Sequence, residues 1–521
     1  MQMEYSLKFN AALFKPWGTT CWHSFARPLI TGGCFEYPTE CLKMSSQDLS
    51  VKPERQGWAS LLDLTPYHWF VFIICCLAWD LDCMDQQLFV LARVPAVTEL
   101  YGKPEGLDAN KIADNIKLYG TYSTSLFLIG WALGGLGFGV MGDRHGRVKA
   151  LTTTILIYSV FTGLSSFSVG VVDFMFYRFL TGLGVGGVFG VAVSLLAETV
   201  PSHSRPFALG LMQASSVFGN CAAALISIYL GSLQQAKYFA GMKFMGFDVT
   251  PWRIMFIIGV IPAILTVLIQ GKLKEPAKWV EAKAKGMKAG SFSDLFGEKP
   301  WGAHALLGLL LAFAGVVGLW GIGFFAVDLT GTVFNKQFEK EAMELGKTGD
   351  DVKAYVAGNK AFWGGITSLV QNLGAFFGIY GFTWFTSKLG RKITFTMFFI
   401  AAAVSTAMVF MNLKEFSQIF WMIPLMGFCQ LALFGGYAIY FPELFPTKLR
   451  STGISFCYNF GRLVAAGGPV VLGMLTTMVF TREKGFDEPF RYAGFAMCSV
   501  FLLGLVALPF LPETKGKPLP E

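Results

Sequence analysis

Residues 198–205 read Glu198-Thr199-Val200-Pro201-Ser202-His203-Ser204-Arg205, and residues 443–450 read Glu443-Leu444-Phe445-Pro446-Thr447-Lys448-Leu449-Arg450. Glu, Pro and Arg occupy the same offsets in both stretches. Each stretch closes an apolar run of bilayer length, since about 20 helical residues at 1.5 Å each cross ~30 Å of hydrocarbon. A weaker echo links Gly139-Val140-Met141-Gly142-Asp143-Arg144-His145-Gly146-Arg147 with Ser387-Lys388-Leu389-Gly390-Arg391-Lys392. Repeats of this kind point to an internal duplication.

Working outward from the two copies, apolar runs occur at 66–94, 120–141, 149–170, 173–197, 206–232 and 251–271, then at 302–328, 361–386, 392–412, 416–440, 450–479 and 489–511. A Lys-rich stretch at 272–300 divides them into six and six, and a second polar segment covers 329–360. The expected fold is all-α: twelve transmembrane helices in two six-helix bundles. The expected domains are a polar, poorly ordered segment 1–60, a bundle 61–271, a cytoplasmic linker 272–300 and a bundle 301–521 with a short cytoplasmic tail. Residues 1–43 show no charged start followed by an apolar run, so no signal peptide is expected.

Composition agrees. Of 521 residues, 53% are hydrophobic and 15% charged, with mean hydropathy +0.51. Soluble domains carry about 25% charged residues, so soluble enzymes and disordered chains are both disfavoured. The net charge of +8 resides in the connections. Arg144, Arg147 and Lys149, then Arg205, the lysines of 272–299, Lys388 and Arg391, and Lys448 and Arg450 fall on alternate connections, which the positive-inside rule assigns to the cytoplasm. They read as loop charges and give no reason to expect a nucleic-acid partner. The ten Cys show no metal-ligand spacing, so no metal and no disulfide framework is expected. No nucleophile–base set or phosphate loop is present, so no catalytic residues are assigned. The glycines at 182, 184, 186 and 187 follow no strand and read as close helix contacts.

Charges inside the apolar runs are the candidates for function, because each costs a few kcal/mol in hydrocarbon unless it faces a cavity or a partner. Asp82 and Asp85 are three apart and share a helix face. They are read either as a proton- or substrate-coupling pair or as a static ion-pair site. Arg178 is read as a partner for one of these acids or as an anchor. Arg462 lies deep in the eleventh run and suits an anionic substrate. Gln86, Gln213, Trp320, Gln371, Tyr437 and Asn459 are polar or amphipathic groups in apolar runs, and each is either a substrate contact or an interhelical tie. Asp143, Arg144, Arg147, Glu198, Arg205, Arg391, Glu443 and Arg450 gather at the cytoplasmic helix ends. Acid–base pairs bridging the bundles there would form a gate.

Taken together these motifs resemble the major facilitator superfamily. Gly139–Lys149 is similar to its loop signature, Arg178–Gly187 to its fourth-helix signature, and Pro512-Glu513-Thr514-Lys515-Gly516-Lys517-Pro518 to the tail of its sugar porters. Ser387 departs from the pattern where the second loop copy often has an acid. Trp79-Asp80-Leu81-Asp82-Cys83-Met84-Asp85 resembles the first helix of the organic-acid and sialate proton symporters. The resemblance implies a secondary transporter, expected to carry a small carboxylate together with protons by alternating access. The alternatives are a sugar porter and a non-transporting sensor. It further implies a multi-pass monomer in the plasma membrane whose partners are the bilayer and a small substrate. No cofactor is expected, only a proton gradient.

Overall fold

The computed structural model describes residues 55 and 57–521, apart from 103–108, 236–237, 240, 287–289, 324 and 466. The expectation for residues 1–54 therefore lies outside the described residues. The end of that polar segment is helical: Gly57–Asp63 forms a 3-10 helix.

Five helices follow. They are α1 (Pro66–Tyr101), α2 (Ala109–His145), α3 (Arg147–Ser165), α4 (Val171–Thr199) and α5 (Arg205–Gln235). Thr65 caps α1 by accepting from the His68 N–H at 3.3 Å. Pro66 stands at the first helical position, where its missing N–H costs nothing. A hairpin of β1 (Lys243–Phe244) and β2 (Phe247–Asp248) precedes the sixth span. That span is broken at Gly259-Val260-Ile261-Pro262 into α6 (Pro251–Ile258) and α7 (Pro262–Lys272), because proline removes a helical N–H. The divider holds two short helices, α8 (Ala277–Ala284) and α9 (Phe292–Gly297).

The second half begins with α10 (Trp301–Val316), which passes through a π-helical turn at Val317–Gly323 into α11 (Phe325–Val333). The polar segment 329–360 is not a loop. It forms α12 (Asn335–Glu344) and the start of α13 (Asp350–Leu389), a helix of 40 residues that extends well beyond its apolar part. Then come α14 (Arg391–Asn412) and α15 (Phe416–Leu444). The eleventh span is the most interrupted: α16 (Arg450–Ser455), a π turn at Phe456–Phe460, α17 (Gly461–Ala465), α18 (Gly468–Met474) and a π turn at Leu475–Val479. The last span is α19 (Pro489–Met497) and α20 (Val500–Ala507).

Among the described residues, nine helices are long and apolar enough to cross a bilayer. The sixth span is shorter, the eleventh is interrupted, and α13 is diluted by Gln371 and Asn372 in the middle of its apolar part. The chain forms two six-helix bundles, and the duplication is visible in their packing. In α4, Gly182 and Gly186 lie against the backbone of Phe127 and Trp131 in α2. In α13, Gly374 and Gly378 lie against the backbone of Pro424 and Phe428 in α15. A Cβ at any of these four positions would collide with main chain, so the helix pairs approach only because glycine allows it.

Candidate functional site

Two charged layers stand out, one at mid-span and one at the Lys/Arg-rich end.

At mid-span, Asp82 and Asp85 flank the centre of the 36-residue α1. Both are fully buried. They share a helical stripe yet have different surroundings. Asp82 accepts from Gln86 Nε2 at 2.9 Å through Oδ2, while Oδ1 has no partner. Its charged neighbours are Asp85 and, across the interface between bundles, Arg462. Asp85 turns into the N-terminal bundle, beside Gly259. Neither of its oxygens has a hydrogen bond of normal geometry, although the Thr162 side chain stands beside it, and its charged neighbour is Arg178.

Arg178 is anchored on the other side. Its Nη2 donates to Ser165 Oγ at 2.6 Å, Thr181 Oγ1 at 3.0 Å and the Phe161 carbonyl at 3.3 Å. Its guanidinium lies 4.6 Å from the Phe256 ring centroid, and Nη1 has no partner. Arg178 and Asp85 thus stand close without an ion-pair contact.

Arg462 lies between two rings. Its guanidinium carbon is 4.1 Å from the Trp131 centroid and 4.3 Å from that of Tyr458, and Nη2 donates to the Tyr458 hydroxyl at 2.9 Å. Nε and Nη1 have no partner. Beneath it, Tyr458 stacks on Phe189 of α4 at 3.9 Å, closing the space towards the Lys/Arg-rich end.

The remaining mid-span candidates disperse. Gln86 is held by Asp82. Gln213 is buried with Oε1 unpartnered. Gln371 packs against Gly427 of α15. Asn459 donates to the Gly186 carbonyl at 3.2 Å, tying the eleventh span to α4. Tyr437 is a tie inside the C-terminal bundle: its hydroxyl donates to the Leu311 carbonyl at 2.9 Å and its ring stacks on Phe441. The Trp320 side chain lies outside the described residues. Trp131 and Tyr458 are absent from the sequence candidates, although Tyr458 stands four residues before Arg462, one turn away on the same face.

At the charged end, Glu198 is fully buried and accepts from two arginines. Arg147 of its own bundle donates through Nε at 3.2 Å and Nη2 at 3.0 Å, and Arg450 of the other bundle through Nη1 at 2.5 Å. Arg147 also pairs with Asp143 at 3.0 Å and reaches across to the Thr447 carbonyl at 2.7 Å. Asp143 accepts from the Ser451 and Thr452 N–H groups at 3.1 and 2.8 Å. Asp143, Arg147, Glu198 and Arg450 thus lock the two bundles together.

The second copy does not match this. Arg391 and Glu443 pair within the C-terminal bundle at 2.8 Å, where Glu443 also accepts from Thr514. The expected bridge from Glu443 to the other bundle is not formed. Arg205, the counterpart of Arg450, donates through Nε to the Ala197 carbonyl at 2.8 Å and has no ion pair among the described residues. Arg450 makes the equivalent bond to the Pro442 carbonyl at 3.1 Å. Ser387 turns back to the Trp384 carbonyl. Arg144 is exposed at the rim.

Sequence reasoning missed Glu275. It accepts from the Arg147 and Val148 N–H groups at 2.7 and 3.1 Å, as Glu513 accepts from those of Arg391 and Lys392 at 3.0 and 3.1 Å. Each carboxylate meets the positive end of a helix. The preceding residues, Gly146 and Gly390, have φ of 115° and 92°, a conformation glycine adopts without strain. The signal was available, since Leu273-Lys274-Glu275 and Leu511-Pro512-Glu513 end corresponding spans. Burial pushes the Glu275 carboxyl up. Burial also acts on Glu513, but the N–H groups of Arg391, Lys515 and Lys392 outweigh it and hold that carboxyl below its usual range.

Residues 90–294 match the family described as "Sugar (and other) transporter". The chain is 25% identical over 453 residues to a probable 4-methylmuconolactone transporter of Cupriavidus pinatubonensis, covering 87% of this chain and 92% of that protein. It is 28% identical over 360 residues to a cis,cis-muconate transport protein of Acinetobacter baylyi, covering 68% and 77%. Its fold is similar to that of the proton:xylose symporter XylE, with a TM-score of 0.64 and 16% identity over 87% of this chain and 98% of that one. With two bundles, a duplicated Glu-Pro-Arg motif and these likenesses, the chain is a multi-pass membrane protein with the major facilitator fold.

Proposed function

We propose that the protein carries a small carboxylate together with protons across the plasma membrane by alternating access. The observation that carries this reading is Arg462. A guanidinium at mid-span, fixed between Trp131 and Tyr458 and with Nε and Nη1 unpartnered, is a site for an anion. Guanidinium forks bind carboxylates with a geometry that lysine lacks. The flat rings beside it favour an unsaturated, planar acid, and a relative named for cis,cis-muconate fits that class. Asp85 and Arg178 supply the coupling. A buried carboxylate without partners is costly as an anion, and a proton removes that cost. A return of Arg178 to Asp85 would then release it.

Proton-jump uptake and substrate counterflow in proteoliposomes, with cis,cis-muconate and xylose as probes, test this reading. Arg462→Lys should weaken carboxylate binding in both assays. Asp85→Asn should abolish proton-driven accumulation and spare counterflow. Xylose transport with no muconate transport would replace this reading with the sugar-porter one.

A further inference from the structure

The charged end holds a cavity of about 140 Å³ that the gate does not fill. Its walls come from three segments: Asp143 and Arg144 at the end of α2, Trp279, Ala282 and Lys283 on α8, and Thr447 and Lys448 after α15. Both bundles and the linker therefore meet around it. Such a volume admits several waters or one phosphate group.

The lining is cationic. Arg144, Lys283 and Lys448 line it with three positive charges, of which Arg144 and Lys448 already have partners. The one lining carboxylate, Asp143, is engaged by Arg147, Ser451 and Thr452. Lys448 gives two bonds to Glu298, at 2.6 and 2.8 Å, and an ammonium has a third N–H to give. Lys283 lies 4.7 Å from the centroid of the Trp279 ring, and that indole is fixed by its bond to the Asp143 carbonyl at 2.7 Å. The linker is also tied at the rim. The Gly290 N–H donates to the Lys448 carbonyl at 2.9 Å, and a Cβ on Gly290 would crowd the Val140 carbonyl and Arg144. The cavity is thus a walled recess with a rigid aromatic side.

We propose that this recess binds a phosphate group, and that its occupancy holds the linker and both bundles in the inner-closed arrangement. The group is a phosphate ester, either of a soluble cytoplasmic metabolite or of an anionic phospholipid headgroup. An anion contacting Lys283 and Lys448 together ties the linker, itself held on the N-terminal bundle by the Trp279–Asp143 bond, to the C-terminal half, so opening the inner side would tear the site apart. Its binding energy therefore counts towards the closed state alone. This inference does not depend on which substrate is carried.

The test uses the full chain carrying Ser455→Cys, a buried position on the inner seam, with alkylation at residue 455 followed by peptide mass spectrometry. One arm adds glycerol 3-phosphate to protein in nanodiscs of phosphatidylcholine. The other compares phosphatidylcholine nanodiscs with ones containing phosphatidylglycerol. Either ligand should slow alkylation about tenfold, as a tenfold fall in the open population requires, and the arm that responds identifies the source. Lys283→Glu and Lys448→Gln should each remove the response while leaving the thermal melt in place. No slowing in either arm, or an undiminished response in both variants, overturns the proposal.

Discussion

Replacing Glu198 with Gln separates what the gate does for folding from what it does for the transport cycle. The side chain keeps its shape and loses its charge. Two of its three bonds come from Arg147 in the same bundle, at 3.0 and 3.2 Å. These are made whether the inner side is open or closed, so their loss lowers stability without biasing the cycle. The third comes from Arg450 in the other bundle and exists only while the inner side is closed. Arg450 is fully buried there. It keeps the Pro442 and Pro520 carbonyls and the Thr447 hydroxyl but loses its direct anionic partner. Removing one partner of a buried ion pair costs about 3–5 kcal/mol. The amide oxygen of Gln can still accept one bond, so the lower end applies. At 1.4 kcal/mol per decade, about 3 kcal/mol moves the inward-open to inward-closed ratio roughly a hundredfold. Alkylation of Ser455→Cys reports that ratio. Glu443→Gln is the contrast, because its hydrogen-bonded partners Arg391 and Thr514 lie in one bundle and Arg205 of the other bundle acts on it only at longer range, without an ion-pair contact. It should lower the melting temperature and leave alkylation unchanged. Parental labelling in the Glu198 variant, with raised labelling in the Glu443 variant, would refute this division of roles.

Other outcomes follow from the same geometry. Gly139→Val should hold the inner side open and stop transport, since even a Cβ there would lie 2.6 Å from that of Ser455; labelling at the inner seam and loss of counterflow check it. Trp58→Ala should make inner opening several-fold easier. Trp58 stacks on Tyr380 of α13 at 4.1 Å and meets Phe207 of α5 edge-on, and such pairs contribute about 0.5–1.5 kcal/mol each; accessibility of the same seam reads it. Glu513 has a lowered pKa when clamped, so its clamp is complete above the ordinary carboxylate value of ~4.3. It is lost only as pH falls through that lowered pKa, and carboxypeptidase digestion across an acid series should release the tail there and not at neutral pH.

The sequence by itself determined that this is an all-α membrane protein of many spans with an internal duplication. The reason is local. In hydrocarbon every backbone group must bond within its own segment, so a run of about 20 apolar residues is a helix whatever its neighbours are. The two Glu-Pro-Arg stretches show the repeat without any contact being known. The residues that carry charge inside the spans were also legible, because a buried charge is too costly to be incidental. The partner each charge takes was decided only by the tertiary structure. Asp82 and Asp85 lie on one stripe of α1, yet one looks across to Arg462 and the other into its own bundle beside Arg178. Glu198 and Glu443 occupy matching places in the repeat, yet only Glu198 reaches an arginine of the opposite half. Interhelical contacts depend on crossing angle and close approach, set within each bundle by Gly182, Gly186, Gly374 and Gly378, whose contacts lie tens of residues away in sequence. Local spacing fixes which face of a helix a side chain is on; packing alone fixes what that face meets.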